Sequence, residues 1–145
     1  MKIKTAYMDE ITIDSSDIFT FEHGIPGFEE EKSFVLLPIV DNSIFQVLQS
    51  TQTEGLAFII TSPYEITSNY NFELDEATVK ALEIKSENEV AVFSIVSLKE
   101  TLAQSTVNLK APIVLNITNK KAKQVILDQD AYSIHHKFTL ESVKG

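Results

Sequence analysis

Phe34-Val35-Leu36-Leu37-Pro38-Ile39-Val40, followed closely by Ile44-Phe45-Gln46-Val47-Leu48, decides the fold class of this chain. Both runs are rich in β-branched and aromatic residues and too short for helices, so they read as strands. Working outward, similar runs occur at Leu56 to Ile60, Val90 to Val96, Ile113 to Ile117 and Gln124 to Leu127. Toward the N-terminus, Ile3 to Tyr7 and Ile11 to Ile13 flank a polar Met8-Asp9-Glu10 break, and Ile18 to Phe21 follows the turn residues Asp14-Ser15-Ser16-Asp17. Strands this short and this close together pair antiparallel, because βαβ crossovers need longer connections. The expected fold is therefore all-β, or mainly β: an antiparallel or mixed barrel-like curved sheet with one short helix.

That helix is predicted from Asp75 to about Glu87. Asp75 is a favourable N-cap, Leu74 and Val79 occupy the two positions of a hydrophobic staple, and Ala77, Lys80, Ala81, Leu82 and Glu83 are helix formers. Gly24-Ile25-Pro26-Gly27 reads as a tight turn, with Pro26 fixing φ at the second position and Gly27 able to take positive φ at the third. Pro112 interrupts the apolar stretch Val107 to Ile117 and marks an edge, a bulge or a strand's first residue. The predicted core draws on Phe19, Phe21, Phe34, Val35, Leu37, Phe58, Ile60, Val92, Phe93, Val114 and Ile126.

Composition narrows the function. The 145 residues are 43% hydrophobic with no linker, repeat or low-complexity run, so a single domain over residues 1–145 is expected. With no Cys there are no disulfides and no thiolate chemistry. Charged residues arrive before any signal-peptide apolar region forms, and no run reaches the ~18 apolar residues of a membrane helix, so a cytoplasmic protein without membrane contact is expected. Acids outnumber bases 21 to 12 for a net charge of −9, and every base is Lys. A net-negative chain without Arg is poorly suited to a polyanion, so direct nucleic-acid binding is not expected. A basic protein partner suits the charge, although acids also simply keep a small protein soluble.

A search for chemistry returns little. The isolated glycines cannot form a phosphate loop, and no local signature selects a nucleophile to join His23, His135 or His136 in a triad. His135-His136, with Asp128 and Asp130 upstream, is the nearest approach to a metal constellation, but neighbouring strand side chains point to opposite faces. Asn116-Ile117-Thr118 matches a glycosylation sequon without a secretory context, and Glu29-Glu30-Glu31 reads as a solvated approach to a strand. No enzyme activity, metal or cofactor is expected.

Two segments are candidates for partner contact. From Glu73 to Glu89 the chain carries Glu73, Asp75, Glu76, Glu83, Glu87 and Glu89 against Lys80 and Lys85, a net charge of 2 − 6 = −4 around the helix. A solvated helix face explains the same residues, since acids favour a helix N-terminus. The second segment is Asn108, Leu109, Ala111 and Pro112. Pro112 removes a donor and biases Ala111 toward extended backbone, so regular pairing should fail and leave an edge able to accept a peptide. Asn108 can satisfy turn backbone, and Leu109 is either core or an exposed anchor. The plainer reading is a corner between two strands.

Several blocks, in order, resemble the FliW family of flagellar assembly factors. Phe21-Glu22-His23-Gly24-Ile25-Pro26-Gly27-Phe28-Glu29, continuing to Phe34-Val35-Leu36-Leu37, is similar to the family's opening block. Leu48-Gln49-Ser50, Leu56-Ala57-Phe58-Ile59 and Glu89-Val90-Ala91-Val92-Phe93 follow. The most specific block is Ser105-Thr106-Val107-Asn108-Leu109-Lys110-Ala111-Pro112-Ile113-Val114, which resembles the family's Asn-Leu-x-Ala-Pro-Ile core, and Gln124 to Leu127 and Tyr132 complete the series. Two positions depart from it: His135-His136 stands where the family commonly has Arg-His, and Ser62-Pro63 where Asp or Asn often precedes the Pro. The resemblance implies a non-enzymatic cytoplasmic regulator that binds flagellin and, once released, binds the translational repressor CsrA and relieves its repression of flagellin messenger RNA; apart from the resemblance, a monomer by itself is expected. A different class, a small-ligand-binding β-barrel or an unrecognised enzyme, would instead show an apolar internal cavity with converging polar groups.

Overall fold

Side chains alternate across each strand, so a strand with one polar face can leave that face to solvent and one apolar on both faces needs cover on each. A computed structural model describes residues 1–39, 42–67, 69–128 and 132–138, with the backbone alone described at 42 and 43. The strands are β1 (Lys2–Ile3), β2 (Ile11–Thr12), β3 (Ile18–Phe21), β4 (Ser33–Ile39), β5 (Asn42–Ser50), β6 (Ala57–Thr61), β7 (Val90–Ser97), β8 (Thr106–Val107), β9 (Ile113–Asn116), β10 (Lys121–Gln124) and β11 (His136–Lys137). Two short helices, α1 (Pro63–Ile66) and α2 (Glu76–Ala81), lie between β6 and β7.

Pairing runs β7-β6-β5-β4-β3-β10-β9, and β9 returns to β7, which closes a seven-strand barrel. Its ladders are antiparallel except for β3 with β10, which is parallel and short, joining Lys121 to Thr20 and Ala122 to Phe21. Beyond the end of β9, β8 takes over the same side of β7 at Val96 and Ser97, and β11 adds to β8. The lumen is filled by the inward side chains Phe19, Phe21, Phe34, Leu48, Ile60, Ile113 and Leu115, with Phe21 and Phe34 edge to face at 5.3 Å. On one outer face, the β1–β2 hairpin brings Ile3 and Ile13 against Val35, Leu37 and Val47. On another, Ile66, Tyr70, Leu109, Leu127 and Phe138 cover Phe45, Val96 and Val107.

The mainly β reading, the barrel-like sheet and the tight glycine turn match the structure. Phe28 N–H closes on Ile25 C=O across Pro26 and Gly27, whose φ is +89°. Of the predicted core, Phe19, Phe21, Phe34, Val35, Leu37, Ile60 and Val114 are buried, while Phe58, Val92 and Phe93 are partly buried. Ile126 is a correction: it is 65% exposed. Val125 N–H and Leu127 N–H bond Pro112 and Lys110 carbonyls, so this stretch alternates with Leu127 inward and Ile126 outward. The strand itself lies earlier, at Lys121–Gln124, where Ala122 is the one apolar residue turned into the lumen. Val40, at the end of the opening run, falls outside the described residues.

The predicted helix is also shorter than expected. It begins at the Asp75 cap, whose carboxylate accepts from Thr78 N–H at 2.8 Å, but α2 ends at Ala81. Glu83 N–H bonds Lys80 C=O and Ile84 N–H bonds Val79 C=O, a Schellman ending with Glu83 at φ +51°. Glu87 belongs instead to a separate 3-10 turn, Glu87–Glu89, capped by Ser86. The unexpected helix α1 has Ser62 at the N-cap and Pro63 at the first position, a placement that Pro favours.

Candidate partner-binding site

The stop at Pro63 shapes the surface beside β7. The β6–β7 register pairs Ile60 with Ile95 and Thr61 with Ser94, so continuing it would place Pro63 opposite Val92. Proline has no N–H to give, and the chain turns away into α1. On the other side of β7, Ile117 N–H bonds Glu89 C=O, and the register to β9 then turns the backbone groups of Ala91 and Phe93 toward β9. Those of Val90 and Val92 point to the side that β6 has left. Val90 N–H is used by Glu87 C=O. Among the described residues, the Val90 carbonyl and both backbone groups of Val92 find no hydrogen-bond partner.

A groove of about 680 Å³ runs along this open edge. Val90 and Val92 form its floor, and Tyr64, Phe72, Leu74, Val79 and Ile84 its apolar walls. The staple pair Leu74 and Val79, half-buried at the start of α2, therefore serves the wall as well as the helix. Glu73 and Glu87 stand at the rim with Lys85. Glu73 also borders a second cavity of about 400 Å³ that carries Asp128, which extends the acidic rim.

Tyr70 holds the aromatic wall in place. It is 3% exposed, and its ring meets Tyr64 and Phe72 at 5.6 Å each and Tyr132 at 4.6 Å. Its hydroxyl donates to the Leu109 carbonyl at 2.7 Å. Burial, then the neighbouring Tyr64 and Tyr132 phenols, push its pKa upward. Tyr132 Oη accepts from Asn71 N–H at 2.7 Å and lies 2.9 Å from Asn71 C=O, tying the other end of the wall.

The predicted acidic residues separate on the structure. Glu73 and Glu87 share the groove rim. Asp75 is the helix cap, and hydrogen bonding from Thr78 holds its carboxyl below the usual range. Glu76 is exposed in the first turn of α2. Glu83 faces β10, where the hydrogen bond and charge of Lys121 lower its pKa. Glu89 turns inward to the Asn116 amide at 3.3 Å.

The Asn108–Pro112 segment is a corner between β8 and β9. Asn108 Oδ1 accepts from Lys110 N–H and Ala111 N–H, and Asn108 N–H bonds Ile95 C=O. Leu109 N–H bonds Ser133 C=O, while the carbonyls of Leu109, Lys110, Ala111 and Pro112 accept from Tyr70, Leu127, Gln124 and Val125. The backbone is thus engaged where an open edge was expected, and Leu109 is buried at 1% exposure. The open edge lies on β7 instead, although the corner reaches it through Tyr70.

The remaining motifs are scattered. His135 is exposed in a turn and His136 sits in β11 opposite Val107, while Asp130 falls outside the described residues. Asn116 of the sequon is buried, its amide bonded to the Leu82 carbonyl at 2.8 Å. No helix is long and apolar enough to cross a membrane among the described residues. The groove's aromatic wall was missed from sequence; Ser62-Pro63, a helix start closely followed by Tyr64, Tyr70 and Phe72, was the signal available.

Comparison with known proteins places this architecture. The family described as FliW protein matches residues 2–138. The chain is 50% identical over 133 residues to a flagellar assembly factor FliW of Oceanobacillus iheyensis, covering 92% of this chain and 90% of that one. It is 44% identical over 142 residues to the flagellar assembly factor FliW of Bacillus subtilis, covering 98% and 99%. A crystal structure of a flagellar assembly factor FliW superposes with a TM-score of 0.91 at 39% identity, over 97% of this chain and 99% of the other. The chain belongs to the FliW family of flagellar assembly factors.

Proposed function

We propose that the protein is a cytoplasmic partner switch, a single folded unit of residues 1–145 that is monomeric by itself and acts by binding proteins rather than by catalysis. It holds flagellin; when flagellin is exported, it captures CsrA and lifts repression of flagellin messenger RNA. The match to flagellar assembly factors along residues 2–138 carries this reading. Charge supports it, since a surface with net charge −9 and no Arg favours a basic protein over RNA. CsrA is then disarmed by docking on its C-terminal extension beside the RNA surface, not by imitation of RNA. Glu73, Glu76 and Glu87 steer that approach, and the Asn108, Leu109, Ala111 and Pro112 corner contributes by holding Tyr70 and the groove wall.

A switch of this kind requires that one equilibrium deplete the other, so the two partners must couple negatively. The small-ligand barrel is disfavoured because Phe21, Phe34, Leu48 and Ile113 fill the lumen. Purified flagellin, CsrA and this protein, mixed pairwise and together on a sizing column, test the proposal. Two binary complexes that displace one another are expected. Binding of neither partner, or a stable ternary complex, would sink it.

A further inference from the structure

The open edge of β7 has the properties of a template for another strand. Among the described residues Val92 presents an unpaired N–H and C=O in the same direction, the Val90 carbonyl lies two residues away on the same side, and Pro63 prevents the chain from completing the ladder itself. The groove alongside is lined by the apolar side chains of Leu74, Val79 and Ile84, which can receive the side chains that an added strand turns to that face. Its rim is acidic at Glu73 and Glu87, with Asp128 in the adjoining cavity and Lys85 as the rim's opposing charge. Apolar floor, unpaired backbone and acidic rim together specify an extended, basic-ended segment more closely than any one of them does.

We infer that this groove binds an extended peptide segment with alternating apolar residues and a basic flank, which adds as a strand to β7 at Val92 while its cationic end lies against Glu73 and Glu87. Backbone hydrogen bonds to Val92 and Val90 supply attachment, and the apolar wall selects alternate side chains. A second copy of this chain is a poor occupant, because it would bring another acidic rim to this one. A small apolar molecule would leave the Val92 groups unpaired. The inference rests on the reading that the protein works by binding proteins, and it names the site and the form of the bound segment.

The full chain, isotopically labelled, is titrated with a library of capped nine-residue peptides carrying apolar residues at alternate positions and lysine at both ends. A matched library with glutamate ends serves as comparison. Selected lysine-ended peptides should shift and protect the Val92 amide. N-methylation of the peptide nitrogens that face β7 should abolish binding, whereas methylation of the nitrogens that face away should leave it. Glu73→Lys with Glu87→Lys, both at exposed positions, should raise Kd about three- to tenfold. Equal binding of the glutamate-ended library, indifference to the methylated face, no binder in either library, or a Val92 amide shift produced by self-association without peptide would each overturn the inference. Flagellin and CsrA complexes that survive on the sizing column would then leave the partner switch standing, while a Val92 response in a protein that binds neither would do the reverse.

Discussion

Tyr70 is where the surface and the core meet. Its hydroxyl satisfies the buried Leu109 carbonyl, so Tyr70→Phe keeps the ring contacts but orphans an acceptor, and should cost about 1–3 kcal/mol in urea unfolding. The same residue sets an alkaline limit. Its folded pKa is raised above the ordinary 10.0 by burial and the Tyr64 and Tyr132 phenols, so the stability tied to its neutral form is complete below pH 10 and lost as pH climbs toward the folded value. Tyr70→Phe should therefore flatten the alkaline limb of the stability profile, and an unchanged limb would show that another group governs it. Gly24 and Gly27 both have positive φ, but they differ in space: a Cβ at Gly24 would stand 2.5 Å from the Glu29 carbonyl oxygen, and one at Gly27 meets nothing within 4 Å. Gly24→Ala should consequently lower the unfolding midpoint more than Gly27→Ala, whose cost is φ strain of about 1–2 kcal/mol alone. Equal losses would mean that the turn moves freely away from Glu29.

At the scale of elements, α2 shows what a local sequence can and cannot dictate. Its start is written in Asp75, whose lowered carboxyl pKa supports the fold above the ordinary value of 3.8 and ceases to do so as pH falls through the lowered one. Asp75→Asn, which can still cap, should weaken the acid dependence of unfolding near and below that pH without removing the helix. Its end was not legible, because the Leu82 carbonyl is taken by the side-chain amides of Asn116 and Asn119, 34 and 37 residues further along. No local pattern announces a cap supplied from a hairpin that far away. Glu83 occupies the left-handed position that Gly normally fills, so Glu83→Gly should raise the melting temperature despite losing an exposed ion pair to Lys121. A lower melting temperature would show that the ion pair outweighs the backbone strain. Asn108 was read correctly as a side chain that closes its own turn. Where Leu109 points could not be read, since it depends on a Tyr70 placed there by α1. Strand β10 was misplaced for a related reason: Lys121, Lys123 and Gln124 hide its single inward Ala122, and only the partners β3 and β9 define it.

The barrel as a whole has a strong side and a weak one. The β4–β5 ladder runs from Phe34 opposite Ser50 to Ile39 opposite Asn42, and β5 is paired again by β6 from Phe45 to Gln49. Closure on the far side depends on the parallel contact of β3 with β10, which spans Thr20 and Phe21 alone, helped by Thr20 N–H on the Lys120 carbonyl. Phe34 is central to the lumen, so Phe34→Ala should cost about 3–5 kcal/mol as a global loss wherever stability is read. Local opening should follow the ladders instead. The β6–β7 ladder is equally short but antiparallel, so the parallel register makes the β3–β10 seam the lowest-energy place for the barrel to part, with the β4–β5–β6 sheet left intact. Amide exchange in mild denaturant measures this directly. The Thr20 amide should exchange by a sub-global opening that depends weakly on denaturant, while the Leu48 amide should exchange only with complete unfolding. Thr20 exchange as slow as that of Leu48, with the same denaturant slope, would mean that the seven strands open as one unit and that the short parallel seam is not the point at which the barrel yields.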